Sequence, residues 1–148
     1  MKKSSCGTTL VLLLVVLCLS CQTDDQIYPN AIAPSNKLAM LGRWSIAKIA
    51  YKVCRKNSCN TTNYSGAAKD YFEFRADSAF LNYTTDSNRQ FDAFKADYSS
   101  PEAIVLTRGF WSAKYIVKEN QPGKLVLECV YMGKDPYATF TDTYYLYQ

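Results

Sequence analysis

From Leu41 onward, apolar and polar residues alternate with the two-residue period of half-buried β-strands. Trp44 and Ile46 open the pattern, and Tyr51 and Val53 extend it along one long, bent strand. Its period slips near Lys48 and Ile49, as at a bulge. The polar stretch 54–66 reads as a long loop. Residues 70–75 alternate cleanly, with Phe72 and Phe74 on one face and Glu73 and Arg75 on the other. Residues 80–85 form a third strand rich in β-formers, 91–98 a weaker fourth and 103–107 a short apolar fifth. Residues 110–118 set Trp111, Ala113, Tyr115 and Val117 opposite Ser112, Lys114 and Lys118. Residues 124–132 turn Leu125, Leu127, Cys129 and Tyr131 away from Glu128, and 140–147 end the pattern. Ala76-Asp77, Arg108-Gly109, Asn120 to Gly123 and Gly133 to Pro136 supply turns. Eight short strands joined by hairpins, with no helix of convincing length, predict an all-β, up-and-down barrel of eight strands over 41–148.

The first forty residues follow a different pattern. Lys2 and Lys3 precede an unbroken apolar run over 10–19, too short to span a bilayer. A charged start, a short apolar middle and a small residue at the end make an export signal over 1–20. Leu17-Cys18-Leu19-Ser20-Cys21 resembles a bacterial lipoprotein processing box, although Cys18 stands where that family usually has Leu. The resemblance implies that Cys21 becomes the lipidated N-terminus, with palmitate among its acyl chains. The acidic patch in Gln22 to Gln26 is similar to a sorting signal that carries lipoproteins of one Gram-negative lineage to the cell surface. The expected location is therefore the outer membrane, surface-exposed, with a periplasm-facing anchor as the alternative. Residues 21–40, with Pro29 and Pro34, suit an extended tether.

The opening Gly42-Arg43-Trp44, followed by Tyr71-Phe72-Glu73-Phe74 before Asp77-Ser78, resembles the lipocalin-like domains of bacterial lipoproteins. That resemblance covers 41–148 and implies a barrel with one open mouth and an interior that often holds a small apolar molecule. It implies no particular ligand.

Composition narrows the chemistry. Removing Lys2 and Lys3 with the leader takes the net charge from +4 to +2, and no Lys/Arg cluster remains, so no nucleic acid partner is expected. The chain has no His, which removes the commonest general base and the commonest triads. Phosphate-binding, dinucleotide-binding and nucleophile-elbow motifs are missing too. No catalytic residue, metal ligand or cofactor is assigned, and the protein is not expected to be an enzyme. Outside the cytoplasm, Cys54 and Cys59 flank a polar turn and are expected to form a disulfide. Cys129 reads as a small buried apolar residue on a strand.

The aromatic content is 14%, with 12 Tyr. Strand propensity and a filled bore account for most of it. Any cavity is expected to be small, with a mouth opposite the end closed by Trp44. Its wall would use Phe72, Phe74, Tyr83, Trp111, Tyr115, Leu127 and Tyr131, while Tyr144, Tyr145 and Tyr147 could form an exposed contact patch. Two readings follow. One is a membrane-anchored carrier of a small apolar or amphipathic molecule. The other is a filled barrel acting as the interaction subunit, inhibitor or immunity partner of a protein at the cell surface.

Overall fold

The computed structural model describes residues 37–85 and 88–148. Cys21 and the tether up to residue 36 lie outside the described residues. One helical turn, α1 (Lys37–Met40), leads into nine strands. These are β1 (Gly42–Arg55), β2 (Ser58–Ser65), β3 (Tyr71–Phe74), β4 (Ser78–Thr85), β5 (Asn88–Ser100), β6 (Ala103–Arg108), β7 (Trp111–Gln121), β8 (Lys124–Met132) and β9 (Ala138–Tyr147). All pairings are antiparallel, in the order β2-β1-β3-β4-β5-β6-β7-β8-β9, and β1 also pairs with β9. The described residues form an all-β, eight-stranded barrel with one extra strand.

The extra strand is β2, where the sequence pattern suggested a loop over 54–66. Its residues are polar and nearly all exposed, so burial imposes no alternation on them. What makes it a strand is the ladder to β1, which runs from Lys48↔Ser65 to Arg55↔Ser58. Cys54 and Cys59 face one another in that ladder and are joined as a disulfide.

The slip in β1 is real and lies between Ile46 and Lys48, where the register against β9 shifts. Gly66 packs on this point. Its N–H donates to the Ala47 carbonyl at 3.0 Å, and a Cβ added there would stand 1.7 Å from the Ile46 carbonyl oxygen. Only glycine lets the chain leave β2 and cross the bulge at this distance. The short link ends at Asp70, which is buried. Its Oδ2 accepts from the Ala67 N–H at 2.7 Å and from the Tyr64 hydroxyl, and its backbone carbonyl accepts from Ile46 N–H at 3.1 Å.

One end of the barrel is a packed base. Here Gly42↔Phe74, Arg43↔Glu73 and Trp44↔Phe72 pair directly, so the two short motifs of the sequence lie side by side. Trp44 is 1% exposed, and its Nε1 donates to the Met40 carbonyl at 2.9 Å. Met40 is itself buried, so the packed domain begins slightly before Leu41. Phe72 and Phe74 stack at 4.5 Å, and Ile46, Leu125, Leu127 and Leu146 fill the rest of the base. Outside the wall, Glu73 accepts from both Arg43 and Arg75. These hydrogen bonds hold its carboxyl below the usual range.

Candidate functional site

The strands behave differently at the other end. The β7–β8 ladder stops at Tyr115↔Cys129, leaving 111–114 and 130–132 unpaired with one another. The β3–β4 ladder stops at Tyr71↔Asn82, and no backbone ladder joins the rest of β4 to β2. The upper barrel thus divides into two four-stranded flaps. One comprises β2, β1, β9 and β8, and the other β4, β5, β6 and β7. Tyr64 spans one of the two seams: its hydroxyl accepts from the Thr84 N–H at 3.3 Å, and its ring meets Tyr83 edge-on at 6.0 Å.

A cavity of about 540 Å³ lies between the flaps. That volume falls within the range of about 300–1,000 Å³ common for small-molecule sites. Leu81, Tyr83, Asp92, Phe94, Arg108, Trp111 and Tyr115 line one side, and Cys129, Tyr131, Asp142 and Tyr144 the other. Each of these side chains shares a strand face with buried core residues of its own strand, which is why all point inward. The floor is aromatic. Tyr115 and Tyr144 lie 5.8 Å apart, and Phe72 meets each edge-on from below, at 6.1 and 5.6 Å. At the mouth Trp111 is 47% exposed and rests against Phe94 at 5.6 Å.

Four of the seven wall residues expected from sequence line this cavity: Tyr83, Trp111, Tyr115 and Tyr131. Phe72, Phe74 and Leu127 do not. They face inward as expected but sit nearer the base, fully buried against Trp44 and its neighbours. Alternation reports the face of a strand and not the height along the barrel; register sets the height. Tyr144 also departs from expectation. It is a buried floor residue rather than part of an exposed patch, whereas Tyr147 is exposed. The cavity lies at the end away from Trp44.

Two carboxyls and one guanidinium enter the cavity. Asp92 and Arg108 form an ion pair with one another. Asp142 has no ion-pair partner among the described residues; its Oδ1 receives only a long hydrogen bond, 3.5 Å, from the Tyr131 hydroxyl. It stands opposite Tyr51 of β1 and Cys129 of β8, and two residues along its own strand from Tyr144. Burial among these groups pushes its carboxyl up to about 6, with the Tyr131 bond opposing. Burial likewise pushes the Cys129 thiol up to about 11 and the Tyr131 hydroxyl up to about 12. The hydroxyls of Tyr51, Tyr115 and Tyr144 are raised further. A buried thiol raised in this way is a poor nucleophile.

Asp142 is not among the wall residues expected from sequence. The signal was present: Phe140, Asp142, Tyr144 and Leu146 form one alternating set. Among the described residues, no three His, Cys, Asp or Glu side chains come together as a metal site.

No family model matches this chain. No curated protein matches it either.

Proposed function

We propose that this protein is a carrier that binds, rather than transforms, a small amphipathic molecule in the cleft between the two flaps of its barrel. The observation that carries the reading is the contrast between the two ends. The base is filled by its own side chains, yet at the mouth the same inward faces stand apart around about 540 Å³ of space. Aromatic walls with a few placed polar groups are the usual make-up of a small-molecule site. Lipid attachment at Cys21 would hold this carrier on the outer membrane.

The test is a titration of the mature chain with fatty acids, isoprenoids and alkyl amphiphiles, read by tryptophan fluorescence. A bound molecule quenches Trp111 at the mouth and leaves Trp44 at the base unaffected, so the signal disappears in Trp111→Phe. It also raises thermal stability by about 2.7 kcal/mol at a hundredfold excess over its Kd. Absence of both quenching and thermal shift across the panel would count against a carrier. A detergent-partition assay of wild type against Cys21→Ala tests the anchor.

A second reading has its own observation. Phe110, Met132 and Tyr137 are strongly exposed, and they lie in or beside the β6–β7 and β8–β9 turns at the mouth. Exposed apolar side chains on neighbouring turns suit contact with another protein. In that case the domain is an interaction subunit of a surface complex, and substitution of these three by Ser abolishes the complex without altering ligand binding.

A further inference from the structure

We infer that the molecule held in this cleft carries a positive charge, an ammonium or quaternary ammonium group on an apolar body, and that Asp142 with its surrounding tyrosine rings is the subsite for that group. This deepens the carrier reading and rests on it.

The charges that enter the cavity do not balance. Asp92 and Arg108 enter the cavity from the β4–β7 flap and neutralise each other. Asp142 enters from the opposite flap with no cation to meet it among the described residues. With Asp142 ionised, the cavity therefore holds one uncompensated negative charge in partly desolvated surroundings. A carboxylate so placed costs stability unless a cation joins it. An anionic headgroup would meet that charge without relief, because Arg108 is already engaged.

The neighbours of Asp142 fit the same partner. Tyr51 stands opposite it on β1, Tyr131 donates to it from β8, and Tyr144 follows it on β9. Tyr83 and Tyr115 face it from the other flap. Tyrosine rings attract cations through their quadrupole, so an ammonium beside this carboxylate would have aromatic neighbours as well as a counter-charge. The floor rings and Leu81, Phe94 and Trp111 supply an apolar wall for the rest of the molecule.

The ionisation of Asp142 sets the pH at which the subsite works. The tyrosines and the Cys129 thiol stay protonated well above neutrality, and Asp92 and Arg108 are paired. Asp142 is therefore the group whose charge changes near pH 6. Cation binding is strong above that pH and is lost as pH falls through it.

The experiment compares three probes of one chain length on the mature protein, decyltrimethylammonium and decanoate below their micelle concentrations and decanol below its solubility limit. At pH 7.5 the ammonium probe should bind about tenfold or more tightly than decanol, with decanoate weakest. At pH 5 its advantage should shrink towards decanol's affinity. Asp142→Asn should bind the ammonium probe no better than decanol while melting at or above the wild-type temperature. Equal binding of all three probes, or a preference for decanoate, overturns the cation subsite and leaves the carrier reading standing. Failure of every probe to bind overturns both. The probe series on the wild type decides the matter even if the variant does not fold.

Discussion

Asp142→Asn is expected to make the protein more stable at neutral pH. In the folded chain the Asp142 carboxyl titrates at about 6, against an ordinary value of 3.8. A difference of roughly two units corresponds to about 3 kcal/mol in a dry site, at about 1.36 kcal/mol per unit. The cleft is open, and solvent screening brings the figure down to on the order of 1 kcal/mol. The sign follows from proton linkage. Between about pH 4 and 6 the folded state holds a proton that the unfolded state has released, so stability falls as pH rises through that window. Asparagine keeps the shape of the side chain and an acceptor for the Tyr131 hydroxyl, but has no charge to bury. Urea denaturation of the two proteins should therefore give nearly coincident curves at pH 4. At pH 7.5 the variant should lead by about 1 kcal/mol, or about 4 °C in Tm. Other titrating groups are common to both proteins and cancel. A variant less stable than wild type at pH 7.5, or a gap of equal size at both pH values, would refute the argument that burial raises this carboxyl.

Four substitutions separate packing from backbone strain. Gly66→Ala should cost about 3 kcal/mol or prevent folding, since the new Cβ meets the Ile46 backbone and cannot move aside. Gly109→Ala, where nothing lies near but φ is +58°, should cost only about 1 kcal/mol. Trp44→Ala should cost about 3–5 kcal/mol in chemical denaturation as a large truncation in the base. Trp111→Ala, half-exposed at the mouth, should cost far less while removing the ligand-dependent fluorescence change.

The inward faces of the barrel could be read directly from sequence, because a strand with one face in a core must alternate. Trp44, Phe72, Phe74, Tyr115, Leu127 and Leu146 all face inward for that reason. Strand β2 could not be read in this way. Both its faces meet solvent, so Thr61, Thr62 and Asn63 carry no apolar rhythm, and its pairing with β1 is a long-range fact. The clue available was the pair Cys54 and Cys59 straddling the turn at Lys56, whose φ is +52°. The division of the mouth into flaps was also hidden. It depends on where the β7–β8 and β3–β4 ladders stop, and neighbouring strands whose ladders end early look the same in sequence as strands paired throughout. That ending is what separates Tyr115 and Tyr131, beside the cavity, from Phe72 and Leu127 beneath it.

A carrier requires that the cleft between the flaps be occupied. Native mass spectrometry of the protein, isolated without denaturant and then exposed to an extract of cellular small molecules, tests it most directly. A carrier of a cationic amphiphile should show a single adduct in one-to-one ratio, released on unfolding and carrying a positive charge when identified. Protein found only at its unliganded mass, both as isolated and after exposure, would contradict it.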